Sequence, residues 1–266
     1  MESALDDIEF LARSPSRVTA LEMLAEHPRS RDELQMLTGA SPSTVGRMLR
    51  AFEERHWIRR DGHQYTATSL GAFVATQFED LTEQIEAERT LREVWQWLPS
   101  EDDGFTIEMG ADATITIADI NDPYQPVNRF VSLLRETDQF RFVGFDVALL
   151  EPCRDDLAER ILGGMEAEII DPPSIANYIL TTYPKHCADP LASGNLTVWL
   201  HDDLPPYGIS LFDDRIGISG YNQESGTVHV FLDTDHPMAR EWAQSIYEEY
   251  LRDARPLALD SETKYA

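Results

Sequence analysis

Residues 38–60 read TGASPSTVGRMLRAFEERHWIRR, and this stretch decides the fold of the N-terminal part of the chain. Ser41 followed by Pro42 is typical of a helix start, because serine caps a helix and proline suits its first position. Apolar residues then recur at helical spacing and predict a buried stripe of Val45, Met48, Leu49 and Phe52. We therefore expect a helix from about residue 42 to residue 55.

The other face of this helix has the chemistry of a DNA-reading surface. It carries small hydroxyl side chains at the start and arginine further along. A helix in the major groove uses such donors and arginines for guanine edges or phosphates, and its N-terminus attracts a phosphate. The predicted DNA-binding residues of the helix are Ser41, Ser43, Thr44, Arg47 and Arg50. Arginine on an exposed helix face is, however, more often simply solvated.

The segments before and after this helix extend the pattern. Ser14-Pro15 predicts one helix start, and the capping box Ser30-Arg31-Asp32-Glu33 predicts another helix, which Gly39 ends. After the helix, Asp61-Gly62 predicts a two-residue hairpin turn. That turn would place Ile58 opposite Tyr65 and Arg60 opposite His63. Arg59, Arg60 and His63 are then expected to hold the DNA backbone.

Together these elements resemble the winged helix-turn-helix of transcriptional regulators, over about residues 5–75. The stretch TSLG, Thr68–Gly71, is similar to the T-x-x-G that begins the next helix in many such proteins. The resemblance implies double-stranded DNA as a partner. Winged helices also bind proteins, so an adaptor function is the alternative.

From Thr68 to about Leu98 the sequence predicts one long helix. Val74, Phe78, Leu81 and Ile85 are spaced as in a short coiled-coil seam. The seam predicts a homodimer, and packing against the protein's own second domain is the alternative. We set the domain boundaries at 1–68 for the winged helix, 69–99 for the linker helix and 100–266 for a regulatory domain.

Residues 100–266 alternate short apolar strands with helices. This pattern predicts a mixed α/β sheet with an antiparallel meander at its late edge, so the whole chain is expected to be a two-domain α/β protein. FTIEM (105–109) and ATITIA (113–118) are predicted to pair as strands, and FRFVGFDVALL (140–150) is predicted to be a single strand.

The run from residue 208 to residue 256 resembles the C-terminal end of archaeal regulators of the FilR type. The matching features are Asp213-Asp214-Arg215 between strands, and Trp242 and Tyr250 on the last helix. The domain is also distantly similar to the effector domain of TrmB-type sugar-sensing regulators. The resemblance implies control by a small-molecule effector or a partner.

Catalytic motifs are not found in this part of the sequence. A phospholipase-D-type site needs His-x-Lys, whereas Lys185 precedes His186, and there is no P-loop, G-x-S-x-G or H-E-x-x-H. A hydrolase that the winged helix delivers to DNA is thus the less favoured alternative, and we expect no enzyme and no cofactor.

Two groups of polar residues in this domain are candidates for binding. Asp233, Asp235 and His236 could hold a metal, but we expect an aspartate there to cap the last helix, and no metal. Ligands in α/β sheets lie beyond the carboxyl ends of strands. That rule points to Asp119, Asn121, Asp171, Ser174 and His201.

The charge is large, negative and uneven. The 266 residues carry a net charge of −26, and all but two of the 22 basic residues are arginine. This composition resembles that of proteins from extreme halophiles. Residues 1–68 hold 9 basic and 11 acidic residues, so this part is nearly neutral, as a polyanion-binding surface requires. An acidic start, two cysteines and the lack of a long apolar run predict a cytoplasmic protein that does not bind membranes.

Overall fold

The computed structural model describes residues 3–145, 147–222 and 225–258. The chain divides into two compact units, one up to Glu86 and the other from Ala87. The division lies inside the long helix Ser69–Arg92, between the boundaries expected after residues 68 and 99. None of the helices in the described ranges is long and apolar enough to cross a membrane.

The N-terminal unit is a helix-turn-helix followed by a β-hairpin, which confirms the predicted winged helix. Its elements are α1 (Ala4–Ala12), α2 (Pro15–Glu26), β1 (Arg29–Ser30), α3 (Arg31–Thr38), α4 (Pro42–Glu54), β2 (Ile58–Asp61), β3 (Gln64–Ala67) and α5 (Ser69–Arg92). The strands form an antiparallel sheet in the order β1-β3-β2. The predicted stripe of α4 is at most 3% exposed and lies in the core.

The register of the hairpin differs from the prediction by two residues. Arg60 pairs with Tyr65 and Asp61 pairs with Gln64, so Gly62 and His63 form the turn. Gly62 has a φ of 60°, whereas His63 is not among the residues with positive φ. Glycine with positive φ at the first turn position is typical of a type II′ turn. The Asp-Gly pair therefore does not occupy the two turn positions, and His63 lies at the tip.

Thr68 and Gly71 fix the start of α5 to the base of the wing. The Thr68 hydroxyl donates to the carbonyl oxygens of His56 (2.7 Å) and Trp57 (3.2 Å) and accepts from the Gly71 N–H. A Cβ at Gly71 would overlap the Trp57 carbonyl oxygen. The two defining residues of the T-x-x-G stretch thus have packing roles in this chain. The Thr68 hydroxyl joins the start of α5 to the residues before β2, and Gly71 allows the two segments to come into contact.

The four apolar residues of the predicted seam along α5 differ in how far they are buried. Val74 and Phe78 are half-buried and pack on the core of the N-terminal unit, whereas Leu81 and Ile85 are 41% and 49% exposed. The first half of the seam thus packs on the N-terminal core, a contact that neither the homodimer prediction nor the second-domain alternative had named. The helix also ends at Arg92 instead of Leu98, and a 3₁₀ turn follows at Trp95–Trp97.

The C-terminal unit is an eight-stranded mixed sheet with helices on both faces, as predicted. Its further elements are β4 (Thr114–Ile117), α6 (Gln125–Glu136), β5 (Gln139–Val143), α7 (Val147–Leu162), β6 (Glu166–Asp171), α8 (Pro173–Thr182), α9 (Pro184–Ser193), β7 (Leu196–Leu200), β8 (Tyr207–Leu211), β9 (Ile216–Tyr221), β10 (Val228–Thr234), α10 (Pro237–Asp253) and β11 (Arg255–Pro256). The strand order is β11-β7-β6-β5-β8-β9-β10-β4.

The predicted meander is present in β8, β9 and β10, which are antiparallel neighbours. β7, also expected in this succession, instead pairs in parallel with β6 on the other side of β5. The intervening α8 and α9 form the crossover that a parallel connection requires. One core cluster contains residues of α10 and the other contains residues of α6 and α7.

Two predicted strands are wrong in part. Residues 107–110 form a 3₁₀ turn, so FTIEM does not pair with β4; Phe105 and Met109 are nevertheless buried in the core. The stretch 140–150 is strand only to Val143. Gly144 has a φ of 143° and touches Gly208, a conformation and a proximity that favour glycine, and α7 begins at Val147.

Candidate functional site

The predicted reading helix α4 starts with a network of hydroxyl groups. Ser41 is its N-cap and accepts from the Thr44 N–H at 3.3 Å. The Ser41 oxygen also lies 3.0 Å from the Ser43 hydroxyl and 2.9 Å from the Thr44 hydroxyl. Ser41 and Thr44 are thus used in capping the helix, while Ser43 is exposed at its second position, where a backbone N–H is free of helical bonds.

The arginines of the N-terminal unit fall into two groups. Arg13, Arg17 and Arg55 are held by the protein itself. Arg55 pairs with Asp7 at 2.8 Å, Arg13 pairs with Glu9, and Arg17 donates to the Phe10 carbonyl and lies over its ring. The second group is formed by the arginines of α3, α4 and the wing, none of which makes an ion pair with a residue that the structure describes: Arg31, Arg47, Arg50, Arg59 and Arg60. Arg29 of β1 belongs to neither group; it is half-buried and also lacks such an ion pair.

The second group follows α3, α4 and the wing, and four of its five members were predicted from the sequence. Arg31 was missed, because its position in a capping box explained it. Its guanidinium donates to the Pro42 carbonyl at 2.6 Å and lies against Gly46. Arg50 donates to the Gly46 carbonyl at 3.2 Å. Arg31 and Arg50 therefore both contact α4 at Gly46, where the missing side chain leaves room for the Arg31 guanidinium.

On the wing, Arg59 and Arg60 are consecutive strand residues, so their side chains leave opposite faces of the hairpin. Arg60 folds over the tip: its Nε donates to the Gly62 carbonyl at 2.9 Å, and its guanidinium lies 5.7 Å from the Tyr65 ring centroid. Arg59 and His63 are exposed. All eight predicted DNA-binding residues thus lie on α4, its cap or the wing.

The five predicted ligand residues of the C-terminal unit are not gathered at one site. Asp119 and Asn121 form an exposed turn after β4, in which the Asn121 backbone and side-chain N–H groups donate to Asp119 at 2.9 and 2.8 Å. These bonds lower the pKa of Asp119. β4 is five strand positions from β6, a separation of about 24 Å at roughly 4.8 Å per strand.

Asp171, Ser174 and His201 are closer in the fold but face different ways. Asp171 is 3% exposed and lines a cavity beneath α8, and Ser174 is exposed on the first turn of α8. The His201 N–H donates to the Asp171 carbonyl, but its ring packs edge-on against Tyr250 of α10 at 5.2 Å. The rule that ligands lie beyond the carboxyl ends of strands does not take into account that successive side chains point to opposite faces of a sheet.

The aspartates expected at the start of α10 take part in ion pairs. Asp233 is fully buried and accepts two bonds from Arg129, both 2.7 Å, and one from Arg215 at 3.0 Å. Arg215 also bonds Asp235 at 3.3 Å. Neither aspartate caps the helix, since its N-cap is His236. Two guanidinium groups around Asp233 satisfy its charge as a structural network.

Two family models match the chain. Residues 5–90 match the HVO_A0261 N-terminal domain, and residues 123–253 match the middle domain of the methanogenesis regulatory protein FilR1. No curated protein matches. Among solved structures, the chain is similar to TrmBL2, described as an archaeal chromatin protein, with 13% identity, a TM-score of 0.44, and 90% and 92% of the two chains covered.

Two further solved structures are less similar. One is an IclR-family putative transcriptional regulator from Rhodococcus sp., with 18% identity, a TM-score of 0.21, and 90% and 92% of the two chains covered. The other is an O-methyltransferase family protein from Burkholderia thailandensis, with 12% identity, a TM-score of 0.24, and 76% and 65% covered.

Proposed function

We propose that this chain, which joins an HVO_A0261-type N-terminal domain to a FilR1-type domain, is a sequence-specific DNA-binding transcriptional regulator. The observation that carries the proposal is the group of five arginines on α3, α4 and the wing that lack acidic partners among the described residues. In a chain of net charge −26, arginines without carboxylate partners are suited to phosphates and guanine edges.

The proposed division of work follows from position. Arg47 and Ser43 lie on the exposed face of α4 and read base edges in the major groove. Arg50 and Arg31 lie around Gly46 and contact the backbone, and Arg59, Arg60 and His63 contact the flanking backbone from the wing. The free N–H at the start of α4 favours a phosphate there.

We also propose a homodimer formed through the second half of the α5 seam. Leu81 and Ile85 are large, apolar and exposed, on the same stripe as the half-buried Val74 and Phe78. Continuation of an apolar stripe beyond the core that it serves is the pattern of a helix with a partner. Two-fold symmetry would then present two reading helices to two half-sites.

Control by an effector is the last part of the proposal. A ligand that binds the C-terminal unit more tightly in one of two dimer arrangements would change the affinity for DNA by the same coupling free energy. The acidic surface and the arginine-rich, lysine-poor composition fit a cytoplasm with a high salt concentration.

The experiment that tests the proposal is footprinting of the full chain on the DNA upstream of its own gene, in KCl from low to high concentration. The expected result is a protected two-fold repeat with half-site centres about one helical turn apart. A single protected site would contradict the dimer only. Protection without sequence preference, or none at any salt concentration, would contradict the regulator and favour a winged helix that binds protein.

A further inference from the structure

Arg29, in the short strand β1, has a guanidinium group without a salt bridge among the residues that the structure describes. The residue is half-buried, and its Nε atom is buried without a hydrogen-bond partner in the same part of the chain. A guanidinium stays charged in a protein, and a buried donor that lacks an acceptor is destabilising. Such a group is expected where an acceptor comes from outside the chain.

The register of the wing sheet sets Arg29 in line with an arginine of the wing. Arg29 pairs with Tyr65 of β3, and Tyr65 pairs with Arg60 of β2. Residues directly opposite each other in neighbouring strands project from the same face, so Arg29, Tyr65 and Arg60 form one row. At about 4.8 Å between neighbouring strands, the Cα atoms of the two arginines are roughly 10 Å apart. Both side chains can therefore contact one short stretch of a DNA strand.

Arg29 also lies next to the arginine of α3. Ser30 is the N-cap of α3, and Arg31, the first residue of that helix, donates to the Pro42 carbonyl at the start of α4. Arg29 is thus placed between the arginines around α4 and those of the wing. A DNA strand that contacts both groups passes close to β1.

The acidic neighbours of this row do not cancel its charge. Asp61 pairs with Gln64, one position along the hairpin, so its side chain projects from the opposite face. The Glu33 carboxylate accepts from the Ser30 N–H at 2.7 Å. The pKa of Glu33 is lowered chiefly by its hydrogen bonds with Ser30 and less by the charge of Arg29, so Glu33 is used in capping α3. Two arginines beside this one carboxylate leave the row positive.

We propose that Arg29 binds a phosphate of the DNA backbone and joins the contacts of α3 and α4 to those of the wing along one strand. Its guanidinium is a planar fork of N–H donors, which suits a pair of phosphate oxygens. The DNA phosphodiester supplies the acceptor that the chain does not. The inference rests on the proposed binding to DNA but not on sequence preference, since a phosphate contact carries no sequence information.

The first experiment measures the affinity of the full chain and of Arg29→Gln for the footprinted DNA and for unrelated DNA, at several KCl concentrations. We expect Arg29→Gln to weaken the binding of both DNAs by about tenfold at low salt. The slope of log K against log[KCl] should become smaller by about 0.9. Arg29→Lys keeps the charge and should retain the slope; a loss of slope in that variant would point to a structural effect and overturn the proposal.

Arg17→Gln is the matched control. Arg17 is also half-buried and lacks an ion pair among the described residues, but its guanidinium donates to the Phe10 carbonyl. Its replacement should leave the slope unchanged. A slope that is unchanged in Arg29→Gln, or that falls equally in Arg17→Gln, would overturn the proposal. Stoichiometric titration counts the active protein at each salt concentration, so a less stable variant still gives a valid slope.

A neutral phosphate analogue locates the contact. One methylphosphonate at a time replaces a phosphate of the footprinted DNA. At one position the unchanged protein should lose affinity while Arg29→Gln loses no more, and this position should neighbour the one found in the same way with Arg60→Gln. The absence of such a position for Arg29→Gln would contradict the phosphate contact.

The outcomes for this contact and for the regulator are distinguishable. A normal footprint with an unchanged slope in Arg29→Gln rejects the contact only. DNA binding without sequence preference, with the smaller slope in Arg29→Gln, rejects the specific regulator and keeps the contact. No binding to either DNA by the unchanged protein rejects both.

Discussion

At the scale of single residues, the arginines of the winged helix differ in whether another residue of the chain binds them. That difference, more than the number of arginines, indicates which of them are available to DNA. Arg55 lies over the Phe10 ring at 4.2 Å and pairs with Asp7, so its guanidinium is used in contacts within the protein. Arg47 is exposed and has no ion pair among the described residues. In the sequence Arg47 and Arg55 both lie on or next to α4. Only the tertiary contacts show that Arg55 is held by the protein and that Arg47 is exposed.

We expect Arg47→Ala to lower the affinity for the specific operator by about 1–3 kcal/mol, because a bidentate contact to a guanine edge would be lost. Binding to unrelated DNA should fall much less. The measurement is a mobility-shift titration on both DNAs, and Arg13→Ala, which removes the exposed arginine directly after α1, is the control. Unchanged specificity in Arg47→Ala would contradict its base-reading role.

Gly71→Ala should lower the free energy of unfolding, whereas replacing a glycine by alanine inside a helix usually raises it. Alanine normally stabilises a helix by about 1 kcal/mol relative to glycine. Here the new Cβ would overlap the Trp57 carbonyl, a rigid backbone atom, so we expect a loss of about 1–3 kcal/mol in the free energy of unfolding.

Gly46→Ala is the matched comparison for that change. At Gly46 the Cβ would meet only the end of the Arg31 side chain, which can move. We therefore expect Gly46→Ala to be neutral or stabilising in urea unfolding. A stabilised Gly71→Ala protein would show that α5 can shift away from the wing.

At the scale of elements, α5 packs on the N-terminal core through Val74 and Phe78, and the proposed dimer uses Leu81 and Ile85 of the same stripe. Replacing both Leu81 and Ile85 by glutamate should convert a dimer to a monomer, because two charges would enter an apolar interface. Sedimentation velocity gives the mass, and circular dichroism should remain unchanged since both residues are exposed. Thr76→Glu, on the opposite side of the helix, should leave the dimer intact; dissociation of that variant too would mean that added charge alone is responsible.

Asp213 joins two turns of the sheet domain. Its carboxylate accepts from the backbone N–H groups of Asp138 and Gln139 at 3.0 and 2.7 Å, and the N–H of Asp213 donates to the Thr137 hydroxyl. Burial alone would raise the pKa of Asp213, but the bonds from Asp138, Gln139 and Thr137 outweigh it and lower the pKa. Its Asp-Asp-Arg motif is therefore a structural junction, with Arg215 held by Asp233.

A lowered pKa makes this stabilisation depend on pH in a defined direction. It is complete above the unfolded pKa of about 4 and is lost as the pH falls through the folded value. Asp213→Asn should cost about 1–2 kcal/mol at pH 7, a figure reduced for its exposure to solvent, and less as the pH falls below about 4. Urea unfolding at several pH values measures this, with the neighbouring Asp214→Asn as the control; a difference independent of pH would contradict the charge argument.

Local patterns predicted α2, α3 and α4, the meander of β8, β9 and β10, and the exposed arginines of α4 and the wing. The local patterns failed for the register of the hairpin and for one predicted strand. The hairpin register depends on the backbone of Gly62, and residues 107–110 are buried as a 3₁₀ turn although their alternation suits a strand. The cavity beneath α8 was missed because Glu151, Asp171 and Val198 lie on α7, β6 and β7 and come together only in the folded domain.

At the scale of the whole molecule, the net negative charge lies almost entirely in residues 69–266. Residues 69–266 hold 37 acidic and 13 basic residues, and many of those arginines are in ion pairs such as Arg129–Asp233 and Arg255–Asp202. Residues 1–68 are nearly neutral, and the five arginines of α3, α4 and the wing have no ion pair among the described residues. Such an asymmetry lets one face attract a polyanion while the rest of the chain stays soluble.

The salt dependence of DNA binding follows from that asymmetry and separates the wing from the reading helix. If all five arginines contact phosphate, log K should fall with log[KCl] with a slope of up to about −4.5 per protomer. Arg59→Ala should reduce this slope by about 0.9 and weaken specific and unrelated DNA alike, since a phosphate contact carries no sequence information. Arg47→Ala should instead change specificity with a smaller change of slope if it reads a base. Titrations at several KCl concentrations give both quantities. A slope unchanged in Arg59→Ala would show that Arg59 does not contact a phosphate and would leave Arg60 and His63, on the other side and at the tip of the hairpin, as the wing residues that could.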